Sequence, residues 1–466
     1  MKTKTKYLLL GAGPTGLGAA LRLQELGEEN FLLLEKENYV GGLATTFTDE
    51  KRFLWDIGGH VQFSHYNYFD ALMKRALGED GWLTHQRESW VWIHDKFIPY
   101  PFQNNIRHLP KENLENCLTE IKNILANPPA KPKNFEEWIV ASMGKGIADE
   151  FMFPYNFKVW AYPPRELAYN WIGERVATVD LARIEKNIAE QKDDLSWGPN
   201  NTFGFPKHGG TGSIWKKVGE MIQPEKILLN ETVVKINLKT KTVFTSAGNE
   251  FTYDNLLTTL PLDVFTKMCE DMEKEIADCA ELLVHSSTNI IGIGLKGKPK
   301  DDLKTKCWMY FPESDCPFYR VTVFSNYSPN NVPDINNYWS LMTETSESNA
   351  KPVDRKNLVE ETIQGLLNTK FIASRDEIVS TWQYATDYGY PTPSLGRNEI
   401  LNFVLPALEK KNIFSRGRFG AWKYEVSNQD HSLMQGVEWA NRMINGEEEK
   451  TISSPEFVND MSQGKK

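Results

Sequence analysis

A chain of 466 residues with 40% apolar content is long enough to fold as two or three domains around large cores. Its 53 lysines and arginines against 62 aspartates and glutamates leave a net charge of −9, which argues against a nucleic acid or an anionic membrane as partner. The five cysteines form no C-x-x-C pair, and no stretch approaches the roughly 18 uninterrupted apolar residues of a membrane span, so a reducing, cytoplasmic setting is expected.

Basic Lys2, Lys4 and Lys6 before the apolar run 7–10 have the outline of a signal peptide. The glycines after that run point instead to strand, tight turn and helix. Gly11, Gly13 and Gly16 are spaced G-x-G-x-x-G, leucines recur at 17, 21, 23 and 26, and Gly27 is a helix stop. A second apolar run, 31–34, ends in Glu35 and completes a β-α-β unit of the dinucleotide-binding kind. Such glycines let backbone approach a pyrophosphate whose charge meets N–H groups near Thr15, while Glu35 stands where a carboxylate accepts from ribose hydroxyls.

Residues 89–93 and 97–100 predict a hairpin across His94, Asp95 and Lys96. From Leu109 to about Lys192 the spacing is helical, interrupted by a loop at 128–133. Residues 232–237 and 241–246 form a strand pair. The aromatic and β-branched segments 306–311, 318–324, 338–344 and 377–384 predict a second, antiparallel sheet, and a last helix spans about 430–443. The predicted fold is therefore α/β, a Rossmann-like FAD-binding domain with a helical domain and an antiparallel β-sheet domain. The expected boundaries are 1–85 with 200–258 and 410–450, then 104–198, then 86–103 with 259–409.

The residues after Glu35 decide for FAD over NAD. Gly41, Gly42 and Leu43, then Trp55 to His60, resemble the extended FAD fingerprint of the flavin amine oxidase and sugar mutase superfamily. That resemblance implies FAD contacts at Gly11, Gly13, Thr15, Gly16, Glu35, Gly42, Leu43, Gly58 and Gly59. It adds Val233 from the late strand pair, Arg418 from the turn at 417–420, and Asn428, Gln429 and Ser432 at the start of the last helix. The positive end of that helix would favour an anionic reduced flavin.

Five further motifs, at 58–66, 99–105, 154–160, 173–176 and 317–320, make the resemblance specific. From about residue 6 to 458 the chain is similar to the UDP-galactopyranose mutases of the eukaryotic type. By similarity, Tyr100, Phe102, Gln103, Asn156 and Trp160 line the substrate's uridine pocket, and Phe63 also contacts the substrate. Arg175 and Arg320 clasp the diphosphate with Tyr310, Tyr390 and Tyr424, Asn200 lies near the sugar, and His60 sits beside the flavin. Taken without the family, the arginines read as surface ion pairs, and Phe102 and Trp160 as core. Alternation places Arg320 on the strand face opposite Val321 and Val323.

The chemistry implied is a redox-neutral isomerisation of UDP-galactopyranose and UDP-galactofuranose, in which N5 of reduced FAD attacks the anomeric carbon and displaces UDP. NADPH would reduce the flavin, with Arg87 and Ser89 at the matching positions. No H-E-x-x-H or Cys/His motif suggests a metal. A mutase for another UDP-pyranose, such as UDP-arabinose, is the alternative within this class. An amine oxidase or desaturase shares only the FAD fingerprint, and an FAD-binding scaffold is the non-enzymatic alternative. Nothing in the sequence specifies an oligomeric state.

Overall fold

A computed structural model of the chain describes residues 2–195 and 201–466. The strand Lys2–Leu10 lies within an eight-stranded sheet, parallel to Phe31–Leu34 on one side and Glu250–Thr258 on the other. Burial on both faces explains its unbroken apolar run: Tyr7 and Leu9 join Trp215 and Trp439, whereas Leu8 and Leu10 join Phe265 and Trp422. The expected strand pair forms as Val233–Asn237 and Thr242–Thr245 and extends this sheet antiparallel, while Ile413–Ser415 adds in parallel.

The first helix, Pro14–Glu25, crosses the last long helix, Gln429–Asn445, at very short range. A Cβ on Gly436 would lie 2.0 Å from the Thr15 carbonyl oxygen, and one on Gly18 would lie 2.6 Å from that of Leu433. Only glycine permits this crossing.

Seven strands form the second sheet, in the order Ile378–Pro391, His285–Lys296, Tyr338–Glu347, Arg320–Val323, Trp308–Tyr310, Ser89–Ile93 and Lys96–Pro99. The hairpin turns at His94 and Asp95, whose φ values of 53° and 58° give the left-handed pair that suits strand twist. One junction departs from the antiparallel expectation, because Trp308–Tyr310 runs parallel to Ser89–Ile93. A long connection through the helical region joins these two, so no tight turn dictates their direction.

The strand His285–Lys296 has no counterpart among the strands expected from the sequence. Its Gly292 and Gly294 weaken a strand signal, yet they admit the rings of Trp55 and Phe53, which would lie 2.5 Å and 2.7 Å from a Cβ there. Those rings come from the strand Leu54–Asp56 and its flank, so glycines dock the first part of the chain onto the second sheet.

Lys111–Ala126, Phe135–Ile147, Phe153–Trp160 and Leu181–Glu190 make the helical region, around a core with Phe135, Met143, Phe151 and Trp160. The boundary 259–409 needs correction. Leu262, Phe265, Ile276, Leu401 and Leu405 pack into the core of the first sheet, and within 259–409 the strands of the second sheet run from His285 to Pro391. Among the described residues no helix is long and apolar enough to cross a membrane, and all five cysteines are free thiols.

Candidate functional site

The glycine turn has the shape a dinucleotide requires. Gly11 sits at φ 96°, a Cβ on Gly16 would lie 1.9 Å from the Gly11 carbonyl oxygen, and nothing lies within 4 Å of a Cβ on Gly13. Gly13 thus faces open space, where the backbone can be approached. The Glu35 carboxylate accepts from the Ala12 N–H at 2.7 Å and the Glu37 N–H at 3.0 Å, which fixes it beside this turn. Glu231 N–H in turn donates to the Glu35 carbonyl at 2.8 Å, drawing Val233 to the same edge. The turn at Gly42–Ala44 closes over Gly13, since a Cβ on Gly42 would lie 3.3 Å from its Cα.

At the opposite end of the cradle, the helix Gln429–Asn445 begins at Asn428 without a side-chain cap. Its first-turn N–H groups keep the positive end of the helix available to an anion. Gln429 is held by the Trp215 indole N–H at 2.6 Å and Ser432 by its backbone bond to Asn428 at 2.8 Å. These features, open space at Gly13 and an uncapped helix start at Asn428, fit a flavin dinucleotide.

Beside the cradle, side chains from distant segments converge on one cleft. Arg175 comes from a short turn of the helical region, Arg320 from the second sheet and Arg418 from the loop after Ile413–Ser415. Tyr390 and Tyr424 link them: Arg418 lies 4.9 Å from the Tyr390 ring centre, Arg175 lies 5.8 Å from that of Tyr424, and the two rings are 5.9 Å apart. Tyr100, Tyr155 and Tyr310 extend this wall, with centroid distances of 5.2 Å and 5.1 Å from Tyr310 to the other two. All eight of these residues are partly exposed although they sit deep between the sheets and the helical region, so they border open space.

Charge in this cleft is unbalanced. Arg175 donates to the Glu425 carbonyl at 2.6 Å and leaves its buried Nη1 without a hydrogen-bond partner. Arg418 donates to the carbonyl of Gly389 and to Ser427, and burial draws its pKa down. Among the described residues neither has a carboxylate partner. Arg320, on the face opposite Val321 and Val323, is bound by Glu344 through two contacts of 2.7 Å. Three arginines against one carboxylate make an anion site.

His60 lies beside this group. Burial, opposed in part by Glu344, draws its pKa down to about 4, so its imidazole is neutral near pH 7. The same loop carries His65, whose Nδ1 and backbone N–H meet Asp430 Oδ2 at 2.7 Å and 3.0 Å. Asp430 and His431 complete a buried trio whose ligand atoms all lie within 4.8 Å of one another, a grouping no spacing motif revealed. Burial alone would raise the Asp430 carboxyl, but His431, whose Nδ1 lies 3.1 Å away, and the hydrogen bonds from His65 outweigh it and hold it far below the usual range. The trio ties the 60s loop to the start of the last helix.

Other predicted residues fall differently. Phe102 is fully buried, 4.8 Å from Phe151 in the helical core, and has no free face for a base. Trp160 is also core, edge-on to Tyr424 at 4.8 Å. Tyr155 is partly exposed, and stacks on Phe151 at 5.0 Å with an interplanar angle of 11°. Gln103 donates to the Ala177 carbonyl and keeps a buried Oε1 without a donor, and Asn156 donates to the Met152 carbonyl at 2.8 Å. Phe63 meets His65 edge-on at 5.4 Å. Arg87 lies 5.8 Å from the Tyr100 ring centre, and the Ser89 carbonyl accepts from the Tyr100 N–H at 3.1 Å. Asn200 lies outside the described residues.

Residues 14–444 match the profile of the flavin-containing amine oxidoreductases. A crystal structure of reduced UDP-galactopyranose mutase is 49% identical, superposes with a TM-score of 0.95, and is matched over 98% of this chain and 97% of that one. The chain belongs to the UDP-galactopyranose mutase family. A putrescine oxidase, 14% identical over 95% of this chain and 100% of that one, superposes with a TM-score of 0.64. A CLA-producing fatty acid isomerase from P. acnes, 13% identical over 94% of this chain and 98% of that one, gives 0.63. These two share the fold alone. Membership of the mutase family makes FAD the dinucleotide that the cradle accommodates.

Proposed function

We propose that this protein is an isomerase that interconverts UDP-galactopyranose and UDP-galactofuranose. The observation that carries this reading is the excess of two arginines over carboxylates in a tyrosine-lined cleft that opens onto the flavin cradle. Neutralising a diphosphate is a use for this excess of guanidinium charge that the oxidation of a small amine lacks.

Reduced FAD, when bound, supplies the nucleophile for the anomeric carbon through its N5. Arg175 and Arg320 bind the diphosphate and stabilise the charge that grows as UDP departs. Tyr310, Tyr390 and Tyr424 donate to the same oxygens and hold the sugar's anomeric carbon toward the cradle. Tyr155 offers the stacking face for uracil and Gln103 the free carbonyl oxygen for its N–H. His60, neutral, packs at the junction of sugar and flavin without adding charge. Arg87 and Ser89 pack against Tyr100, and are the residues we assign to NADPH, which would reduce the flavin. The setting we assign is the reducing cytoplasm, consistent with five free thiols.

Three assays test the reading against its rivals and in its parts. An amine oxidase would consume oxygen with an amine substrate, and this protein should not. Anaerobic NADPH should bleach the flavin, and the absence of bleaching would remove Arg87 and Ser89 from the account. Comparing UDP-galactopyranose with UDP-arabinopyranose tests the alternative within the class.

A further inference from the structure

Glu344 lies on the strand Tyr338–Glu347, directly across from Arg320 in the sheet register, and is 2% exposed. Its carboxylate accepts from four donors. Arg320 Nε and the Gly59 N–H reach one oxygen at 2.7 Å and 3.0 Å, and Arg320 Nη2 and the Tyr319 hydroxyl reach the other at 2.7 Å and 2.8 Å. The glycines of the flavin loop are packed onto this pair. A Cβ on Gly58 would lie 3.2 Å from Glu344 Oε2, and one on Gly59 would lie 3.7 Å from Arg320 Cζ. Burial alone would raise the Glu344 carboxyl, but the Arg320 charge and these hydrogen bonds outweigh it, so the group stays ionised.

A carboxylate is an unexpected neighbour for a guanidinium that must bind a diphosphate, because it offsets the charge the ligand needs. The geometry resolves this. Nε and Nη2 face Glu344, a fixed fork-to-fork pair, which leaves Nη1 as the end that points away from it. We infer that Glu344 is a positioning residue: it aims the free end of Arg320 at the diphosphate and, through Gly59, couples that arginine to the flavin-side loop. The inference rests on the diphosphate reading of the cleft.

Charge and position predict opposite signs, which makes the inference testable. If Glu344 acted only as a nearby charge, Glu344→Gln would make the cleft more positive and tighten binding of UDP. As a positioning residue its loss loosens Arg320, because the amide NH2 of glutamine replaces an oxygen that accepts from two of the four donors, one of them an Arg320 N–H. The expected result for Glu344→Gln in the FAD-loaded protein is UDP binding weakened by roughly tenfold or more, with uridine, which lacks phosphates, bound as before. Tyr319→Phe, which removes one donor and keeps the carboxylate, should give a smaller change in the same direction. Because Gly59 adjoins the flavin, Glu344→Gln should also shift the flavin reduction potential, a readout that a loss of packing alone leaves in place. UDP binding that is unchanged or tighter in Glu344→Gln, with bound flavin retained, would overturn the inference. If that variant loses its flavin, Tyr319→Phe decides by the same comparison of UDP with uridine. A wild-type protein that binds uridine and UDP equally would instead remove the diphosphate reading itself.

Discussion

Gly436 faces the carbonyl of Thr15 so closely that a methyl group in its place would lie 2.0 Å from that oxygen. The obstacle is backbone and cannot swing aside. Gly436→Ala must therefore push the last long helix away from the first, and with it the Asn428 end that completes the flavin cradle. Overpacking costs about 1–3 kcal/mol, and the upper end applies to a rigid obstacle. The expected outcome is a lowered melting temperature and weakened flavin retention, read from the visible absorbance after gel filtration.

Gly436 also shows what the sequence makes legible. The unit from Gly11 to Glu35 is local, and its spacing alone places turn, helix and acidic residue. A glycine inside a helix carries no such signal, since its partner Thr15 is far away in the chain. Glu344 gives no sequence signal for a similar reason. It sits in an aromatic and β-branched strand, and only the sheet register brings it opposite Arg320. Gly292 and Gly294 hid a central strand because their purpose, to admit Phe53 and Trp55, is tertiary. The family motifs carried most of the arginines and tyrosines of the cleft, but no choice between Phe102 and Tyr155, which differ in burial.

That choice is open to direct comparison. Phe102→Ala should cost about 3–5 kcal/mol of stability, as expected for a buried aromatic. Tyr155→Ala should leave the melting temperature closer to wild type and weaken binding of uridine and UDP alike. Calorimetry and titration of both variants distinguish core from pocket. A Tyr155→Ala protein with wild-type uridine affinity would remove Tyr155 from the site.

The two arginines act on the departing diphosphate. Arg175→Ala or Arg320→Ala alone should lower turnover about 10²–10³-fold, the scale for one lost electrostatic contact to a developing charge. The double variant should show no measurable turnover and keep its flavin. Retained turnover in the double variant would contradict the assignment.

Glu438 supplies a pH prediction away from the cleft. Burial pushes its carboxyl up to about 7, against hydrogen bonds from the Thr451 N–H at 2.8 Å and hydroxyl at 2.9 Å. A carboxyl whose folded pKa is raised favours the folded state while protonated. Its contribution is complete below the ordinary glutamate pKa and is lost as pH rises to about 7. Glu438→Gln should remove this loss, so its stability relative to wild type should rise between about pH 4.5 and 7 and level off above. Denaturant unfolding across that range measures it.

The most direct test of the account is anaerobic conversion of UDP-galactofuranose to UDP-galactopyranose, monitored by chromatography, with the flavin oxidised and then reduced by dithionite. The account predicts conversion only after reduction, with the flavin still reduced when the reaction ends. No conversion by a protein whose FAD is bound and fully reduced would contradict it.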